Sequence, residues 1–180
     1  LTNEFVVKNR ITHVINCAFE YDSPKWFRER FPERYACMNA YDNNQVNILY
    51  WYPQFEAAMK KFLRDPNAEN IYVHCQAGMN RSGFLALAYV CAHFNLPLDA
   101  VVQATKLQRP ILFQNVVFMN QVKNFINGYI QSSKNTRHLI LNVDNGHIGF
   151  STSRDSPQSQ GIENITRNDT GRSETITATN

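Results

Sequence analysis

The stretch "IYVHCQAGMNRSGFLALAYV", Ile71 to Val90, decides the fold. It opens as a short apolar run that reads as a buried strand. It turns polar over Cys75-Gln76-Ala77-Gly78-Met79-Asn80-Arg81, and from Ser82 onward apolar residues return at helical spacing. A strand that feeds a helix through a short loop is a ready anion site. The first N–H groups of the helix have no partner within it, and its dipole is positive at that end. The loop amides are expected to curl inward as a nest, with Gly78 where the backbone must turn closely. Arg81 offers a planar fork that grips two oxygens at once. Cys75 at the floor of such a cradle lies among dipoles and charge that favour the nucleophilic thiolate, and Ser82 is placed to hydrogen-bond the sulfur when it leaves. A Cys and an Arg six positions apart are often coincidence. The His before Cys75, Gly78, the Ser82-Gly83 pair and the strand-to-helix change around them argue otherwise.

Outward from that junction, strands and helices alternate. "RITHVINCAF" reads as a buried strand ending near Cys17, and "SPKWFRERFPER" as a helix starting after Ser23-Pro24 and stopping at Pro32. "YACMNAYD" is a short strand leading into a loop, and Leu49–Leu63 carries apolar residues at helical intervals. "LPLDAVVQATKL" and "QNVVFMNQVKNFINGYI" give two further helices. This alternation predicts an α/β fold with a central, mainly parallel sheet and helices on both faces. "RHLILNV" reads as an extra strand or packed extension within 134–150. From Ser151 to Asn180 the polar composition predicts a disordered tail, leaving 1–133 as the catalytic unit.

The 180 residues suffice for one domain with a full core, and the net charge of +3 suits anionic substrates without implying nucleic acid. No apolar run approaches the ~20 residues that cross a bilayer, no export signal opens the chain, and no membrane partner is expected. Cys17, Cys37, Cys75 and Cys91 show neither regular spacing nor a C-x-x-C pair. Reduced thiols in the cytoplasm or nucleus are therefore the expectation. His13, His93, His138 and His147 have no ligand spacing, so neither metal nor other cofactor is expected. The sequence says nothing of oligomeric state.

"VHCQAGMNRSG" resembles the signature of the cysteine-dependent phosphatases, and "HCQAG" with "RSG" is most similar to the dual-specificity branch. "ITHVINCA" is similar to that family's early strand. "LQRPILFQNVVFMNQV" is similar to its helix-leading segment, where an Arg is followed by Ile-Ser-Pro-Asn and then Phe-Met-x-Gln-Leu. The likeness runs from Asn9 to Ile130. It implies hydrolysis of phosphotyrosine and phosphoserine or phosphothreonine on proteins through a cysteinyl phosphate, with an Asp on a preceding loop as the acid. Asp42 is the only Asp between Asp22 and Asp65, and "AYDNNQVNIL" matches the family's stretch of polar residues before a helix. The alternatives are that Asp42 caps a turn, with Glu33 as the acid. Asn115 is a supporting residue on the same resemblance.

Two positions depart from the family pattern. Asn80 stands where Ser is common, and the Asn80-Arg81 pair also resembles the RNA 5′-triphosphatase branch, so an RNA 5′ end is the alternative partner to a phosphorylated protein. Gln114 stands where Pro is usual, with an expected effect on local rigidity alone. An inositol-lipid substrate is disfavoured because Gln76 and Met79 supply no Lys for ring phosphates. A phosphate-binding scaffold with little turnover is the remaining class. His74 either tunes the thiolate or simply packs. Cys17 is either core packing or a thiol that captures an oxidised Cys75, since "INCA" resembles a strand of the inositol-lipid branch where a Cys lies near the nucleophile. The basic, aromatic stretch from Lys25 to Arg34 is either a solvated helix face or an attracting rim for RNA or acidic peptide.

Overall fold

The computed structural model describes residues 1–130, 140–144 and 147–151. Among them, three parallel strands hold the site: β1 (Ile11–Asn16), β2 (Tyr35–Cys37) and β3 (Asn70–His74). Asn16 aligns with Cys37 on one side and with His74 on the other, so the strands finish level and their following residues share one rim. Two further strands, β4 (Ile140–Asp144) and β5 (His147–Ser151), complete the order β2-β1-β3-β5-β4, with β5 antiparallel to both β3 and β4. The extra strand expected in "RHLILNV" is β4. The expected disordered tail falls outside the described residues, save Ser151 at the end of β5.

Alternation along the strands separates two faces. Val14 packs with Val6, Ile11 and Phe27, on the side of helices α1 (Asn3–Lys8) and α2 (Lys25–Arg30). Ile15, Ile71 and Val73 join the larger core, under α3 (Tyr52–Arg64), α4 (Arg81–Phe94), α5 (Leu98–Gln108) and α6 (Val116–Ile130). Helices therefore cover both faces, as the alternation predicts. In α3 the buried Tyr52, Phe55, Met59 and Phe62 form one stripe. In α4 every residue except His93 is buried, which makes it the central helix. The short α1 has no counterpart in the sequence reading. Its six residues are too few to show a period, and only the Thr2 hydroxyl, accepting from the Phe5 amide at 3.2 Å, marks its start. Among the described residues no helix is long and apolar enough to cross a membrane.

His13 on β1 is fully buried. Its Nε2–H donates to the Asp65 carboxylate at 3.1 Å and its Nδ1 lies 3.0 Å from the Thr12 hydroxyl, an arrangement that satisfies the neutral ring. Burial pushes its pKa below the usual 6.5, only partly offset by Asp65. The unfolded chain therefore binds a proton that the folded one resists. The resulting stability is present above about pH 6.5 and is lost as pH falls below it. The thermal midpoint should drop between about pH 7.5 and pH 5.5, and a His13→Asn variant should show a flatter profile over that window. An unchanged slope in the variant assigns the pH dependence to other groups.

Candidate active site

Cys75 directly follows β3, and the loop from Gln76 to Asn80 leads into α4 at Arg81. The loop is shaped from outside. The Gly78 carbonyl accepts from Arg109 Nε at 3.2 Å, and the Met79 carbonyl accepts from the Phe113 amide at 2.8 Å. Because a trans peptide points its N–H opposite its C=O, tying these carbonyls outward turns the Met79 and Asn80 amides to the other side. Gly78 has φ of +63°, a conformation that favours glycine, and a Cβ there would come within 2.8 Å of the Arg109 guanidinium and displace that brace. At Gly83 packing is tight, since a Cβ would meet Phe113 at 3.2 Å and Leu112 at 3.3 Å and both would have to give by a few tenths of an ångström.

Inside the loop, the Ser82 hydroxyl donates to Cys75 Sγ at 3.3 Å. Arg81 is 5% exposed, and its Nη1 donates to the Ala40 carbonyl at 3.1 Å. Its Nε is buried with no hydrogen-bond partner among the described residues, and Asp42 Oδ2 lies 3.8 Å away. A buried donor without an acceptor is costly, of order 1–3 kcal/mol, and an oxyanion beside Cys75 is the acceptor this geometry accommodates. Asp42 sits on the exposed loop after β2. Asn80 Nδ2 donates to both its carboxylate oxygens, at 3.2 and 3.4 Å. A nucleophile, a guanidinium and a carboxyl thus converge at the level ends of the parallel strands, where α/β sheets commonly bind ligands.

The family model of the dual specificity phosphatase catalytic domain matches residues 1–127. The chain belongs to this family. Mouse protein phosphatase Slingshot homolog 3 is 29% identical to this phosphatase domain over 124 residues, 68% of this chain and 18% of the relative. Zebrafish dual specificity protein phosphatase 22-B is 28% identical over 128 residues, 71% of this chain and 66% of the relative. The crystal structure of human DUSP28 shares the fold, with a TM-score of 0.59 at 21% identity over 73% of this chain and 88% of that one. The chain therefore spans less than a fifth of the Slingshot relative's length.

The remaining residues singled out from the sequence separate cleanly in this phosphatase domain. The neutral His74 ring can donate from Nδ1 to the Cys75 carbonyl at 3.3 Å and accept from Ser23 at Nε2, 2.7 Å away. It also stacks on Tyr72, with ring centroids 5.1 Å apart. It thereby fixes the backbone of Cys75. Asn115 caps α6, its Oδ1 accepting from the amides of Val117 and Phe118 at 3.0 and 3.1 Å. Among the described residues the Asp42 carboxylate meets Asn80 and Arg81 and caps no turn. Glu33 lies just before β2, at the far end of the sheet from Cys75, and pairs with Lys61 at 3.0 Å. Half of the basic stretch is matched by acids, with Lys25 paired to Glu29 and Arg28 to Glu20, while Arg30 and Arg34 lie over the Phe31 ring. Phe27 is core.

Two features require correction. The Gln114 amide donates to Asn80 Oδ1 at 3.0 Å, a bond that Pro could not make, so this departure reaches the site itself. Arg109, the outer brace of the loop, was not singled out from the sequence. The signal was its place in "LQRPILFQN", within the segment similar to the family's.

Proposed function

We propose that this domain hydrolyses phosphotyrosine and phosphoserine or phosphothreonine on proteins. The buried Arg81 Nε, which makes no hydrogen bond among the described residues, carries the proposal, because it is a donor whose natural acceptor is a phosphoryl oxygen. Cys75 Sγ attacks phosphorus in line; the S–P bond forms as the P–O bond to the substrate breaks, and Asp42 gives its proton to the departing oxygen. Water then attacks the cysteinyl phosphate, with Asp42 taking its proton and the Ser82 hydroxyl receiving the developing charge on sulfur. Arg81 and the loop amides hold the equatorial oxygens in both steps.

Asp42→Asn tests the assignment. General acid catalysis contributes roughly 10²–10⁴-fold, so the loss should be of that order with a phosphopeptide, whose leaving group needs the proton. It should be much smaller with 4-nitrophenyl phosphate, whose phenolate leaves unaided. Equal losses on both substrates remove Asp42 from the role. A substrate panel that includes triphosphate-ended RNA tests the substrate class. Protein is favoured because the Asn80 side chain is engaged with Asp42 and because two of the four cations of the basic stretch, Lys25 and Arg28, are paired with acids.

The proposal extends to redox control. Cys17 and Cys75 immediately follow the aligned Asn16 and His74, and the Cys17 amide donates to the His74 carbonyl at 2.7 Å. Mild peroxide should convert Cys75 to a sulfenic acid that Cys17 captures, forming the S–S bond and releasing water. Burial, reinforced by the neighbouring Cys75 and Cys37 thiols, holds the Cys17 pKa well above the ordinary thiol value. Capture is therefore slow, and excess peroxide should over-oxidise Cys75 instead. Peptide mapping checks this: a Cys75 found only as sulfinic acid even at low peroxide, with activity not restored by thiol, leaves Cys17 as packing. A reducing compartment, the cytoplasm or nucleus, is the location we propose, since the nucleophile must remain reduced to act.

A further inference from the structure

We propose that Asn80 is a positioning residue for Asp42, and that Asn80 and Gln114 together form a latch that ties the acid-bearing loop to the segment before α6. The inference rests on the reading of Asp42 as the acid and base.

The Asn80 side chain is held at both ends. Its Oδ1 accepts from the backbone amides of Gln114 at 3.0 Å and Asn115 at 2.9 Å, and its Nδ2 donates to Asp42 Oδ1 at 3.2 Å and Oδ2 at 3.4 Å. The chemistry of the neighbours fixes which end is which. Two backbone N–H groups can only donate and a carboxylate can only accept, so the reverse orientation would set donors against donors and oxygen against oxygen. The amide plane is thereby oriented by groups outside the cradle and delivers its own donor to Asp42. Asp42 lies on an exposed loop and leans toward the buried Arg81 Nε at 3.8 Å. The amide orders a carboxyl that water would otherwise compete for, and holds it beside the guanidinium of Arg81.

The two departures from the family pattern are parts of one device. Ser at position 80 is too short to span from the 114–115 amides to Asp42, and Pro at 114 has no N–H to give. Asn80 and Gln114 supply both missing groups, and they meet each other through the 3.0 Å hydrogen bond.

The test compares Asn80→Ala and Asn80→Ser in two backgrounds, wild type and Asp42→Asn, each with a phosphopeptide and with 4-nitrophenyl phosphate. Misplaced catalytic groups cost up to about a hundredfold in rate. For both Asn80 variants we expect the loss on phosphopeptide to exceed the loss on nitrophenyl phosphate by about tenfold, because an exposed carboxyl still visits the productive position. That excess should vanish in the Asp42→Asn background, where no proton remains to be positioned. Equal losses on the two substrates, or an excess that persists in the Asp42→Asn background, overturn the latch and make Asn80 part of the cradle alone. So does a neutral Asn80→Ser, which would mean that the short side chain serves as well. If Asp42→Asn by itself shows no dependence on the leaving group, the acid assignment fails first, and the latch fails with it. A failed latch beside a leaving-group-dependent Asp42→Asn leaves the acid assignment standing.

Discussion

Cys75→Ser should abolish turnover while leaving substrate binding intact. The substitution exchanges one atom at a site that is 6% exposed, so the cradle around it keeps its shape. What changes is the nucleophile: a serine hydroxyl is far less ionised than a thiol, and no base is hydrogen-bonded at this position among the described residues. The neighbouring Ser82 hydroxyl is itself the donor of the 3.3 Å hydrogen bond to Sγ. Removing a nucleophile from an organised site costs on the scale of 10⁴–10⁶-fold, roughly, and we expect a loss of that order on phosphopeptide and aryl phosphate alike. Binding should survive because the guanidinium and amides that hold the phosphoryl group are untouched. Steady-state kinetics with both substrates, alongside a binding measurement on the inactive variant, checks the pair of claims. A variant that retains most of its rate removes Cys75 from the reaction.

Arg81→Lys should lose about 10²–10³-fold in kcat, the cost typical of removing one preorganised donor from developing negative charge, and should bind inorganic phosphate more weakly. The guanidinium does two things with different nitrogens. Nη1 is fixed on the Ala40 carbonyl at 3.1 Å, which anchors the group, while Nε is left to face the oxyanion. A single ammonium cannot serve as anchor and as ligand in the same place, and its charge is more expensive to strip of water in a site this closed. Inhibition by phosphate and the rate should therefore fall together. If Lys preserves both, the forked contact is not what the site uses.

The core of the site was legible because it is local. Cys75, the loop and Arg81 lie within seven consecutive residues, where each type has a chemical reason for its place. The sheet and the larger helices were legible for a similar reason: α3 carries periodic apolar residues over more than three turns, and α4 is an almost unbroken apolar run of helix-forming length. Asp42 was reached through spacing and family likeness. The braces around the loop join residues far apart in the chain, with nothing periodic to announce them. Arg109 meets Gly78 across 31 positions, Asn80 meets Asp42 across 38, and Gln114 meets Asn80 across 34. Gln114 was the instructive case. The absence of Pro there predicts a change in local rigidity alone, whereas the group that matters is the backbone N–H that every residue except Pro possesses.

The strand order carries a consequence for how the domain assembles. β3, which delivers Cys75, pairs with β1 on one edge and with β5 on the other, where Ile71 aligns with Phe150. The second pairing must close a loop of nearly eighty residues, whereas the first closes one of about sixty. Pairings of such long range are slow to form, so β3 is expected to spend part of folding with one edge bare. A bare edge beside the apolar Ile71 and Val73 is a template for another chain. During synthesis this interval lasts until residue 151 has emerged, well after the catalytic loop and α6 are available. A segment more than seventy positions from Cys75 in sequence is thus the one that covers the free edge of β3, and it bears on whether the newly made chain stays apart from its neighbours.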